Sequence, residues 1–187
     1  MTTRALPCFL LVLAIGCTTE GAALDDSVPR DSFPAGPYGT HEGERLQNHR
    51  FVAPGGGELE LQELRADETV RLLLLVTAAG WCTACVEEQP SLQRLYDERA
   101  ADGLRVVVTV FEDSEFAPAH AEDAEDWASD HSLSFPVVAD PDFVLREYYD
   151  SSLTPMNMLV RAGSMTIDRI TTGWDPGLVE SLVEALL

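Results

Sequence analysis

The stretch from Arg71 to Cys85 constrains the fold more than any other part of the chain. Between Arg71 and Thr77 lies a continuous apolar run, Leu-Leu-Leu-Leu-Val. It has strand length and lacks alternation, the pattern of a strand buried on both faces. The small residues Ala78-Ala79-Gly80 follow, and then Trp81-Cys82-Thr83-Ala84-Cys85. From Glu87 to Ala101 the pattern turns helical, with Leu92 and Leu95 on one face. Pro90 sits inside that pattern, which predicts a bent helix rather than an abolished one. Two cysteines therefore stand where a buried strand hands over to a helix.

That position has a chemical consequence. At a helix N-terminus, unpaired backbone N–H groups and the helix dipole favour an anion. A cysteine there is poised as the thiolate, the form that attacks disulfides. Cys82 occupies that place, and Cys85 lies one turn inside the helix. Cys85 can attack a mixed disulfide formed at Cys82 and release the partner. In this reading Cys82 is the nucleophile and Cys85 the resolving residue. A half zinc site would need a second cysteine pair, and His41, His49, His120 and His131 are scattered without ligand spacing. A structural staple is a poor account too, because so short a loop constrains the unfolded chain little.

The other two cysteines fall in the N-terminal region. Arg4, the apolar run from Leu6 to Ile15 and Gly16 read as a secretory signal, residues 1–16, too short to span a bilayer comfortably. The segment Leu13-Ala14-Ile15-Gly16-Cys17 resembles a bacterial lipobox, with cleavage before Cys17 and lipidation of that cysteine. Ordinary cleavage nearby and an uncleaved anchor are the competing readings. All three place the body outside the cytosol. Cys8 departs with the signal and Cys17 becomes the anchor, which leaves Cys82 and Cys85 as the cysteines of the mature body. Residues 17–42 are rich in Gly, Pro, Ser, Thr and acidic side chains and read as a tether. Residues 43–187 form the domain. Twelve basic against thirty-two acidic residues, a net charge of −20, exclude nucleic acid and anionic membrane surfaces as partners. The bland role of that acidity is solubility, and any docking partner would be basic.

Further elements follow from pattern. Phe51-Val52, Gly55-Gly56-Gly57 and Leu59/Leu61 predict an N-terminal hairpin leading to a turn at Leu64. Arg105–Phe111 is a second buried strand, and residues 118–129 an acidic helix carrying Trp127. Residues 135–139 read as a short strand. Asp140-Pro141 predicts a helix over residues 143–149. Residues 156–160 and 165–171 form a hairpin, and Asp175-Pro176 caps a final helix with Leu178, Leu182, Val183 and Leu186 as its apolar positions. Alternation followed by an antiparallel pair makes this an α/β chain, a central mixed sheet flanked by helices.

Trp-Cys-x-x-Cys-x-x-Glu-x-Pro, here Trp81 to Pro90, resembles the TlpA/ResA-like branch of extracytoplasmic thioredoxin-like proteins, as does Leu153-Thr154-Pro155 before a strand. The resemblance covers residues 43–187 and implies a thioredoxin-like fold. The residues alone support only a turn at Pro155. The resemblance implies a cis proline packed beside the cysteines, with Thr154 offering backbone groups to an extended substrate and Trp81 covering the pair. Thioredoxin's buried aspartate, six residues before the first cysteine, is replaced here by Val76. Glu88 is the substitute the resemblance selects, a carboxyl that accepts the Cys85 proton; spacing by itself leaves an exposed helical glutamate equally open. Thr83-Ala84 lacks the histidine of strongly oxidising relatives. Trp127, Trp174, Tyr148 and Tyr149 read as packing.

The implied activity is a protein-disulfide reductase. It needs no cofactor, acts on protein dithiols and disulfides, draws on a membrane electron donor, and touches the membrane only through the N-terminal lipid. A peroxiredoxin-like peroxidase would need a Pro-x-x-x-Thr/Ser-x-x-Cys loop, where this chain has Ala78-Ala79-Gly80-Trp81. A copper chaperone would want three residues between its cysteines. A tethered binding module without turnover is the non-enzymatic alternative.

Overall fold

The structure is a computed structural model and describes residues 29–187. The expected signal segment, Cys8 and the lipidation residue Cys17 lie outside the described residues. One seven-stranded mixed sheet organises the chain. Its strands are β1 (Arg50–Val52), β2 (Glu58–Glu60), β3 (Leu72–Ala79), β4 (Leu104–Glu112), β5 (Val137–Ala139), β6 (Met156–Arg161) and β7 (Thr166–Thr172). The helices are α1 (Leu61–Ala66), α2 (Thr83–Arg99), α3 (Ala121–Asp130) and α4 (Pro176–Leu186). Across the sheet the order is β2-β1-β5-β4-β3-β6-β7. β3 pairs in parallel with β4 and antiparallel with β6, so it lies at the centre. The architecture is the expected α/β one, with the N-terminal hairpin β1–β2 at one edge.

β3 explains why the apolar run is unbroken. Side chains alternate between faces along a strand, and here both faces are covered. Leu72, Leu74 and Val76 join Leu92 and Leu95 of α2, Trp127 of α3 and Val179 and Val183 of α4. Leu73 and Leu75 point the other way, toward Leu61 and Leu64 of α1 and toward Leu145 and Tyr148. Every residue of β3 is buried. Burying a leucine side chain contributes about 1.5–3 kcal/mol, so this one strand anchors both layers.

Three local expectations change. Residues 144–148 form a 3₁₀ segment rather than the expected α-helix over 143–149. Phe143 before it takes φ 47°, a left-handed conformation that interrupts a helix. Buried Asp140 accepts from the backbone N–H of Val144 and Leu145 and holds this tight turn. In α4 the buried positions are Val179 and Val183, while Leu178 is exposed. Asp175 accepts from the Leu178 N–H, which sets the helix phase at that cap. The acidic helix begins at Ala121, three residues later than the pattern suggested.

The stretch read as a tether is, over residues 29–42, laid against the domain. The guanidinium of Arg65, on α1, is fully buried and donates to the carbonyls of Pro29, Ser32 and Gly163. Arg30 donates to the carbonyl of Val70 at 2.7 Å, and the N–H of Gly39 to that of Arg45. Composition could not reveal this, because the anchoring donor lies more than thirty residues downstream. Among the described residues no helix is long and apolar enough to cross a membrane.

Candidate active site

β3 ends at Ala79, and the chain turns within three residues into α2. Gly80 makes the turn possible. A Cβ there would sit 2.5 Å from the Ser114 nitrogen and 2.7 Å from the Asp113 carbonyl carbon, both backbone atoms. The loop after β4 can therefore close directly onto the cysteine motif. Cys82 is the N-cap of α2, and its Sγ accepts from the Cys85 N–H at 3.1 Å. One free donor of the first turn is thus aimed at Cys82 Sγ, and a helix N-terminus is a position that favours an anion.

Cys82 and Cys85 form a disulfide, with Cα atoms 5.3 Å apart. Cys82 retains 5 % exposure and Cys85 none. Cys82 is therefore the more accessible of the two sulfurs. Cys85 Sγ lies 3.9 Å from the Thr77 carbonyl oxygen, and Gln89 Nε2 donates to the Cys85 carbonyl at 2.7 Å.

Glu88 is fully buried, which removes the exposed alternative. Asn157 Nδ2, on β6, donates to its Oε2 at 3.4 Å. Burial pushes the Glu88 carboxyl well above the ordinary value of 4.5, and the Asn157 hydrogen bond opposes this only partly. Asn157 pairs in register with Val76, the position where the sequence lacks an aspartate. Sequence reading missed Asn157, and its one signal was a lone amide inside the apolar strand Met156–Arg161.

The Thr154–Pro155 peptide is cis, and Pro155 is buried. Two residues outside the expected set hold this loop. Tyr149 Oη bonds Thr154 Oγ1 at 2.8 Å and Thr77 Oγ1 at 3.0 Å. Thr77 Oγ1 also accepts from the Met156 N–H at 2.9 Å. Thr77 therefore joins the proline loop through its hydroxyl and lies against Cys85 through its carbonyl. Tyr149, expected to be packing, is part of the site's frame.

Trp81 turns toward the loop after β4. Its Nε1 donates to Glu112 at 2.8 Å, and its ring stacks on Phe116 and meets Phe111 edge-on. Among the described residues no group of three or more His, Cys, Asp or Glu side chains gathers as metal ligands.

A family model described as AhpC/TSA matches residues 44–171. The chain belongs to the AhpC/TSA family. It is 23% identical over 162 residues to the thiol-disulfide oxidoreductase ResA of Bacillus subtilis, covering 87% of this chain and 79% of that protein. Among solved structures it resembles the thioredoxin domain of a thiol-disulfide oxidoreductase from Bacteroides vulgatus (TM-score 0.60, 14% identity, 79% of this chain and 99% of that one). A secreted Mycobacterium tuberculosis disulfide oxidoreductase, described as homologous to E. coli DsbE, gives TM-score 0.54 at 18% identity, covering 74% and 96%. StoA from Bacillus subtilis gives 0.53 at 18%, covering 73% and 96%. These likenesses establish the thioredoxin-like fold. With a disulfide at the head of α2 in that fold, the chain is a thiol–disulfide oxidoreductase, similar to the ResA and DsbE type.

Proposed function

We propose that this chain reduces disulfides of extracytoplasmic partner proteins by mixed-disulfide exchange at Cys82. The Cys82–Cys85 disulfide at the N-terminus of α2 is the observation that carries this reading. In the reduced enzyme the Cys82 thiolate attacks one sulfur of the substrate disulfide. That bond breaks, a Cys82–substrate disulfide forms, and the second substrate sulfur leaves as a thiolate and takes a proton. Cys85 then attacks Cys82 Sγ. The substrate departs as a dithiol and the enzyme is left as the disulfide.

Cys85 must lose its proton in that second step. Glu88 accepts it in its ionised form: burial raises this carboxyl above the ordinary value, which makes its carboxylate a stronger base than an exposed one. Once protonated, Glu88 is in the neutral form that burial favours. Trp81, Thr154 and Pro155 bind the substrate segment, the last two beside the Thr77–Tyr149 frame. A donor at the membrane returns two electrons to the pair, and a lipid on Cys17 keeps the domain near it. The similarity to a protein described as secreted supports an extracytoplasmic site.

Direction is tested by the reduction potential of the Cys82–Cys85 pair. A value near about −270 mV fits a reductase, and one near about −120 mV reverses the assignment to an oxidant. Insulin reduction separates the enzyme from a binding module without turnover. Cys85→Ser traps a mixed disulfide at Cys82 if the roles are as proposed, and unchanged turnover in Cys82→Ser or Cys85→Ser sinks them. Peroxide consumption by the reduced chain would favour a peroxidase instead. The segment before Cys82 lacks the loop such a peroxidase needs.

A further inference from the structure

Beside the disulfide, the loop after β4 and one face of α3 enclose a cleft of about 450 Å³. Gly80 and Val86, on either side of the cysteine motif in sequence, form its near wall. The remaining walls carry Glu112, Asp113, Glu115, Asp123, Asp126 and Asp130, with no lysine or arginine. His131 also faces the cleft, and burial pushes its pKa down, toward the neutral ring.

Two further observations accompany these carboxylates. Trp127 lines it while only 7 % exposed, and its Nε1–H has no acceptor among the described residues. A buried donor left unpaired is unfavourable, and a peptide carbonyl is an acceptor of the kind it lacks. Next to the cleft, Trp81 and Phe116 stack at 5.5 Å between centroids and 15° between planes, 38 % and 67 % exposed. Phe116 holds φ 64°, a conformation unfavourable for a bulky side chain, while presenting its ring to solvent.

We propose that this cleft and the Trp81–Phe116 shelf dock the substrate polypeptide and select an extended segment with lysine or arginine close to its cysteine. The inference rests on the oxidoreductase reading and adds the class of segment that the site accepts. Carboxylates gathered in a partly enclosed cleft act through a lower effective dielectric than carboxylates spread over open surface. The aromatic faces beside them attract the same cationic groups. The whole-chain charge of −20 would draw basic partners to any surface; the cleft draws them to Cys82.

The test uses the oxidised chain and two short synthetic peptides, identical except for lysines or glutamates flanking a serine that replaces the cysteine. Binding, followed by tryptophan fluorescence, then reads docking without turnover. The lysine peptide is expected to bind at least ~10-fold more tightly at low salt, the difference shrinking below ~3-fold near ~0.5 M salt. The triple variant Glu115→Gln, Asp126→Asn, Asp130→Asn, shown to be folded by its urea midpoint, loses this preference. A control with the same charge change, Glu68→Gln, Glu98→Gln, Asp102→Asn, keeps it. Equal affinity for the two peptides overturns the proposal, and so does a preference that survives the cleft variant. Turnover of a small neutral disulfide by the unaltered chain is measured separately. If it fails while peptide discrimination persists, the redox reading falls and the docking surface stands.

Discussion

Asn157 Nδ2 donates to Glu88 Oε2 across 3.4 Å, in a region sealed from solvent on both side chains. The hydrogen bond favours the carboxylate and burial favours the acid, and burial dominates. A carboxyl whose folded pKa is raised adds stability that is full below the ordinary value of 4.5 and is lost as pH rises through the folded value. Glu88→Gln removes that loss. Its stability relative to the native chain is expected to rise with pH above the ordinary carboxylate range, by up to about 1.4 kcal/mol per pH unit. Urea denaturation of the oxidised proteins at several pH values measures this, and parallel stability profiles would contradict it.

Tyr149 bridges Thr77 and Thr154 through one hydroxyl. Tyr149→Phe keeps the ring and removes both bonds. Stability is expected to fall by about 1–2 kcal/mol. KM for a protein disulfide should rise more than kcat changes, because the loop carrying Thr154 loses its brace while the cysteines keep theirs. Steady-state insulin reduction resolves the two, and an effect confined to kcat would count against the role.

At Gly80 the obstacle to a side chain is backbone, which cannot rotate away. Gly80→Ala is expected to cost about 1–3 kcal/mol by overpacking. It should also push the loop at Asp113 and Ser114 off the motif and weaken the Trp81–Phe116 stack. A changed tryptophan emission spectrum together with a lowered urea midpoint would report both. Native emission in a destabilised variant would limit the effect to packing.

Arg65 holds the N-terminal stretch by donating to Pro29 and Ser32. Arg65→Ala strands buried carbonyls and is expected to destabilise the domain by about 2–4 kcal/mol. Proteolysis of the native protein should then cut within residues 29–42 before it reaches the sheet. Simultaneous loss of the whole domain would show that this stretch does not detach by itself.

Much of the site could be read from one dimension because its logic is local. The run after Arg71, the glycine and the two cysteines lie within fourteen consecutive residues, and strand, turn and helix cap each depend on near neighbours. The spacing of Cys82 and Cys85 determines which lies at the cap and which lies inside. The sheet's alternation and the terminal hairpin followed in the same way. The 3₁₀ segment after Phe143 did not, because a left-handed residue and a buried aspartate cap decided it.

The sequence by itself determined the cysteine pair and which of the two caps the helix, since a helix N-terminus treats its first residues unequally whatever surrounds it. Tertiary structure decided the environment of Glu88. Spacing put the carboxyl on α2, but only the packing of β6 against β3 brought Asn157 to it and shut out water. It also decided that Tyr149 braces the proline loop and that six carboxylates meet beside the motif. Those contacts join residues far apart in the chain, and a linear pattern carries no record of which distant side chains will face one another.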